Sequence, residues 1–65
     1  MKTYNYTNTM GRAKRIEIDT ESLKNGKYFS AIWDMGTGDL CSTGYNTKEE
    51  LTNFLKNYGI KFEED

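Results

Sequence analysis

Two aspartates bracket a glycine turn in Asp34-Met35-Gly36-Thr37-Gly38-Asp39, and Cys41, the only thiol of the chain, follows closely. Acid–base, metal-binding and nucleophilic chemistry are built from such residue types, but each needs positioned helpers. No histidine occurs among the 65 residues, which removes the commonest general base and the commonest metal ligand. Cys41 is therefore left without an activating partner close in sequence, and one cysteine makes neither an internal disulfide nor a thiolate zinc site. Calcium takes roughly six to eight oxygen ligands, and the acidic residues here do not follow the Asp-x-Asp-x-Asp-Gly order of a helix-loop-helix site. The expectation is that Asp34 and Asp39 are exposed turn residues and that Cys41 is a buried, inert strand residue. No catalytic residue, cofactor or metal is expected, and the protein is expected not to be an enzyme.

A strand ending in Asp34-Met35-Gly36-Thr37-Gly38 and returning as a second strand resembles the phosphate-binding hairpin of the actin, heat-shock-protein and sugar-kinase superfamily. That resemblance implies backbone N–H groups presented to nucleotide phosphates. An ordinary hairpin turn uses the same residues, because glycine supplies positive φ and Asp or Thr closes local hydrogen bonds. The superfamily also encloses its nucleotide between two large lobes, for which a chain of 65 residues has no room.

Binding chemistry has two candidate sources. The first is the basic run Gly11-Arg12-Ala13-Lys14-Arg15, preceded by Tyr4 and Tyr6. Residues 1–15 carry a charge of +4 and residues 16–65 a charge of −5, within a net −1. Cations for phosphates and aromatic faces for bases make Arg12, Lys14 and Arg15 with the adjacent tyrosines a candidate nucleic-acid site. In a solvated edge strand, the same cations discourage edge-to-edge aggregation. The second source is the surplus of tyrosines, a residue type enriched at protein interfaces; Tyr4, Tyr6, Tyr28 and Tyr45 are the candidates.

The elements that position these residues are legible in the spacing. Thr47-Lys48-Glu49-Glu50 has the form of a capping box. Leu51, Phe54, Leu55 and Tyr58 then recur at helical spacing until Gly59, which predicts a helix over 47–58. Three turns of helix are too short to stand alone, so the apolar stripe must dock on a sheet. Residues 28–34 and 39–45 alternate on either side of the glycine turn and predict a β-hairpin, with Phe29, Ala31 and Trp33 facing the helix. Arg15-Ile16-Glu17-Ile18-Asp19 predicts a third strand, with residues 20–26 as a polar connection pinned by Leu23. Thr3 to Thr7 is expected as an edge strand or, with the rest of residues 1–12, a flexible arm. Ile60 and Phe62 are expected as a short final strand or a cover for the core.

The fold class expected is α+β: one domain over residues 1–65, an antiparallel sheet of three or four strands with one C-terminal helix on one face. Its expected core is Ile16, Ile18, Phe29, Ala31, Trp33, Leu51, Phe54 and Leu55. Three strands and a helix are similar in outline to the arm-binding domains of phage and transposon integrases and to double-stranded RNA-binding domains. Residues 27–58, with a strand containing Tyr, Ala and Asp, a glycine turn, a strand reaching Thr43-Gly44, and a helix opened by Thr47-Lys48-Glu49-Glu50-Leu51, resemble the core of HicB-type antitoxins. The turn lacks that family's proline, the turn-to-helix spacing is longer and its DNA-binding segment is absent. That resemblance implies a module that binds and blocks a protein partner.

No run approaches the roughly 20 apolar residues of a membrane span. With a lone cysteine and no apolar leader, a cytoplasmic location and no membrane partner are expected. Abundant Asn, Lys and Tyr, with no Val, Pro or His, suggests AT-rich coding and hence a bacterial, phage or mobile-element origin. The functional expectation is a non-catalytic protein-interaction module, such as a small regulator or inhibitor. It would bind a protein partner or self-associate through a sheet edge. The alternative is a small nucleic-acid-binding domain.

Overall fold

The computed structural model describes residues 1–64. Four strands, β1 (Lys2–Thr7), β2 (Ala13–Lys24), β3 (Lys27–Asp34) and β4 (Leu40–Thr47), form an antiparallel sheet in the order β1-β2-β3-β4. Helix α1 (Lys48–Lys56) follows and covers one face. The expected α+β class is what the structure shows, with residues 2–7 as an edge strand.

Local chemistry accounts for the boundaries. Lys24 pairs with Lys27 across Asn25 and Gly26, both at positive φ (54° and 74°), the conformation that a two-residue turn between twisted strands requires. The turn is so tight that β2 runs to Lys24, and residues 20–24 are strand where a connection was expected. A register shift between Ile18 and Leu23 carries the change in course, and Leu23 is exposed instead of pinned to the core.

No loop separates β4 from α1. Thr47 ends the strand and caps the helix: its Oγ1 accepts from Glu50 N at 3.1 Å, while Glu50 Oε1 accepts from Thr47 N at 2.8 Å. That reciprocal bonding to Thr47 holds the Glu50 carboxyl below its ordinary value. At the other end Ile60 N donates to Leu55 O and Gly59 N to Lys56 O, with Gly59 at φ 71°, so the helix closes just short of the expected Tyr58. Replacing Thr47 by alanine should cost about 0.5–2 kcal/mol, whereas serine should retain most of the cap. Urea midpoints of the two variants check this, and an alanine variant as stable as the parent would remove the cap from the account.

Side chains alternate between the two faces. Ile16 and Ile18 of β2, Tyr28, Ser30 and Ile32 of β3, and Tyr4 and Tyr6 of β1 point toward α1. Leu51 and Leu55 of the helix complete a core with Ile16, Ile18, Tyr28 and Phe62. Phe62 adds no strand; it packs edge-on against Tyr4 and Tyr28, at 6.2 Å from each ring, and seals one end of the core. Tyr6, Phe54 and Tyr58 form a partly exposed aromatic group at the rim, with Phe54 5.5 Å from Tyr6 and 5.4 Å from Tyr58.

The expected phase of β3 is therefore reversed. Phe29, Ala31 and Trp33 lie on the face away from the helix, although Ala31 is still buried among its neighbours. Register decides it: Ile16 sits opposite Ile32, so the face chosen by the two isoleucines of β2 is continued by Tyr28, Ser30 and Ile32. The tryptophan is not a core anchor, and the largest fully buried side chains are Ile16, Ile18 and Leu55. Among the described residues no helix is long and apolar enough to cross a membrane.

Candidate functional site

The open face of the sheet carries the surface that most needs explaining. Directly paired Phe29 and Tyr45 meet edge to face with ring centroids 5.5 Å apart, and Leu40 lies opposite Trp33. Phe29 is 38% exposed, Leu40 50% and Tyr45 53%. Trp33 is half-buried, its Nε1 donating to Glu17 Oε1 at 2.8 Å on the neighbouring strand. Alternation along β3 and β4 puts all four on one side, so they form a patch across the two strands instead of scattered apolar residues. Met35, also exposed, stands beside Trp33 at the turn end.

Charge frames this patch unevenly. Arg15, Glu17 and Asp19 of β2 share the open face by the same alternation, and Arg15 Nε donates to Asn5 Oδ1 at 3.3 Å. At the opposite end Lys24 and Lys27 surround Tyr45. Beside the patch runs the free edge of the sheet. β4 is the terminal strand, and its eight residues Leu40–Thr47 include no charged residue and no proline. Gly44 lies in its middle, where an added Cβ would meet nothing within 4 Å.

The turn between β3 and β4 is a closed electrostatic unit. Asp34, only 5% exposed, accepts from Arg12 Nε at 2.8 Å and Lys14 Nζ at 3.1 Å on Oδ2. Its Oδ1 accepts from the backbone N–H groups of Gly36 at 2.8 Å and Thr37 at 3.1 Å. Hydrogen bonds from Arg12, Lys14 and the turn hold the Asp34 carboxyl far below the usual carboxylate range, and Asp34 in return raises Arg12 and Lys14. Gly38 N donates to Asp34 O and Asp39 N to Thr37 Oγ1. The amide groups that a phosphate-binding hairpin would present are thus occupied by the turn's own oxygens. Asp34 is not the exposed turn residue that the sequence suggests.

Cys41 also departs from expectation: it is exposed. It falls at the irregularity between Ile32 and Trp33, where Ser42 and Leu40 take the paired positions, so Cys41 is the extra residue of a bulge. Its Sγ lies 3.3 Å from Lys14 Nζ, a cation brought from a distant strand. Among the described residues no three His, Cys, Asp or Glu side chains gather where a metal ion could be held.

The candidate binding residues are divided by the fold. Tyr4 packs on Phe62 and accepts from Glu63 N at 3.2 Å, while Tyr6 packs between Phe54 and Tyr58, with burial and then Tyr58 raising its pKa. Tyr28 is buried and donates to Glu64, which raises the phenol; Glu64, bonded also by Lys48 at 2.8 Å, is lowered. These three tyrosines are committed to the core and its rim. Arg12 and Lys14 are committed to Asp34, and Arg15 lies on the open face. Only Tyr45 of the four tyrosines is displayed, next to Phe29, Trp33 and Leu40, which the sequence reading assigned to the core or left unassigned. The missed signal was that Tyr28 and Phe29 place an aromatic group on each face, so apolarity alone does not choose the buried side. Comparison with protein families, curated proteins and solved structures finds no match to the chain.

Proposed function

We propose that the protein is a non-catalytic protein-interaction module that docks through the open face of its sheet and acts by occupying a partner's surface, as a small regulator or inhibitor does. The observation that carries this reading is the outward placement of Phe29, Trp33, Leu40 and Tyr45 on two adjacent strands, in a chain that has few apolar residues to spare. Water contact with such a patch is unfavourable by about 25 cal/mol per Å² of apolar area, and a docked partner removes that cost. Aromatic groups at the centre with polar groups around them is also the usual anatomy of an interface.

A nucleic-acid reading finds less support. Arg12 and Lys14 are already engaged by Asp34, and on the open face Arg15, Lys24 and Lys27 are interspersed with Glu17 and Asp19, which leaves no uniformly basic surface for a phosphate backbone. Capture from native lysate separates the two. The tagged parent chain should retain proteins after nuclease treatment, and a folded Phe29→Ser, Tyr45→Ser double variant should lose them. Retention of the same proteins by the double variant, or capture abolished by nuclease, would overturn the reading.

A further inference from the structure

We propose that the groove between α1 and the β3–β4 side of the sheet is a binding site for a small primary amine carrying a ring-sized or branched apolar group. The groove opens on the helix side of the sheet, so the proposal stands apart from the docking surface on the opposite face.

The walls of the groove are apolar. Ile16 and Leu51 are buried and Ile32 and Phe54 partly so, and together they line a space of about 220 Å³. A cavity of about 150 Å³ with walls of this kind accepts a benzene ring, whereas drug-sized ligands occupy roughly 300–1,000 Å³. The space therefore suits a single ring or branched chain with a short arm and is too small for a peptide segment.

One residue keeps the groove accessible. Gly44 pairs with Ser30 and shares the helix-facing side of β4 with Asn46. It has no positive φ, and an added Cβ would meet nothing within 4 Å, so neither the backbone nor the packing calls for glycine here. A glycine inside a strand weakens it and often marks a place that a ligand approaches closely. Any longer side chain at this position would reach over Ser30 toward the groove.

The rim is made chiefly of acceptors. Ser30 is 5% exposed, and its Oγ donates to Asn46 Oδ1 at 3.3 Å, which leaves the lone pairs of the hydroxyl for a donor. Glu50 also lines the groove; its Oε1 accepts from Thr47 N, and a carboxylate has room for about four such bonds. The surrounding charges leave the rim acidic. Glu49 adds a second carboxylate at this end of α1, and Lys48 is bonded by Glu64. Lys27 helps to lower the Glu50 carboxyl but projects on the open face, and among the described residues no lysine or arginine lines the groove. An ammonium group brings three donors and no acceptor, the complement of such a rim. Phe54 in the wall adds an aromatic surface that favours a cation.

Phenethylamine is the probe, with phenylacetate as the comparison of like ring and opposite charge. Each is titrated into the isotope-labelled chain to about 10 mM, a range that covers the weak affinity of so few atoms, and followed by nuclear magnetic resonance. The amine should shift the methyl signals of Ile32 and Leu51 and leave the Trp33 indole N–H, on the open face, in place. Phenylacetate should bind about tenfold more weakly or not at all. Gly44→Leu should weaken the amine about tenfold without lowering the urea midpoint, an outcome that a purely structural glycine would not give. Glu50→Gln keeps a side chain that serves in a capping box but removes the charge, so the preference for amine over acid should shrink about tenfold. Absence of methyl shifts, equal binding of amine and acid by the parent, or shifts confined to the Trp33 indole would each overturn the proposal. So would a folded Gly44→Leu chain that binds as the parent does, or a preference unchanged in Glu50→Gln.

Discussion

Leu55→Ala should leave much of the chain unfolded at room temperature. Leu55 is 0% exposed and packs within the cluster formed by Ile16, Ile18, Tyr28, Leu51 and Phe62. Truncating such a leucine costs about 2–5 kcal/mol, because the lost transfer free energy is joined by the cost of a cavity that cannot fully collapse. A core of this size rarely provides more than about 3–5 kcal/mol in total. Phe54→Ala, which the spacing alone would rank as equally damaging, should be milder, since Phe54 is only partly buried at the aromatic rim with Tyr6 and Tyr58. Phe29→Ala should hardly move the urea midpoint. Midpoints for the three variants in one buffer decide the order, and a Leu55→Ala chain as stable as Phe29→Ala would contradict the assignment of the buried face.

Acid should weaken the protein, in large part through Asp34. Its carboxylate is held below the unfolded value of about 3.9 by hydrogen bonds from Arg12, Lys14, Thr37 and Gly36. A carboxyl lowered by folding contributes its full stabilisation above the unfolded pKa and loses it as pH falls through that value toward the folded one. The melting temperature should therefore be nearly flat around neutrality and fall steadily below about pH 5. Asp34→Asn keeps the side-chain size but removes the charge that Arg12 and Lys14 bond to. It should melt at a lower temperature at pH 7, and its further fall in acid should be shallower than the parent's. Glu50 and Glu64, also lowered by their hydrogen bonds, should leave it some residual slope. An acid limb identical to the parent's would show that Asp34 is not the group being titrated.

The elements were legible in the sequence wherever local chemistry determines them. Thr47 and Glu50 announce the helix start, Asn25-Gly26 and the 36–38 turn announce the hairpins, and each does so through hydrogen bonds or φ values that involve only a few neighbouring residues. The buried side of β3 was not legible, because it depends on which β2 residues stand opposite, and register is a long-range property. The burial of Asp34 is not legible for the same reason. Its partners Arg12 and Lys14 lie on either side of the first residue of β2, 22 and 20 residues away in sequence, and a carboxylate beside a turn is ordinarily solvated. Of the candidate binding residues, Tyr45 is displayed by its strand, whereas Tyr4, Tyr6 and Tyr28 were claimed by Phe62, Phe54, Tyr58 and Glu64, residues from the last third of the chain.

Because each strand hydrogen-bonds only to its successor and predecessor, every pairing in the sheet closes through a short turn, an arrangement of low contact order that favours rapid assembly. The seal on the core is made differently: Phe62 must return from beyond the helix to reach Tyr4 on the first strand and Tyr28 on the third. If the hairpins zip first, the contacts of Phe62 form late, and a late contact governs the rate of spontaneous opening more than the rate of formation.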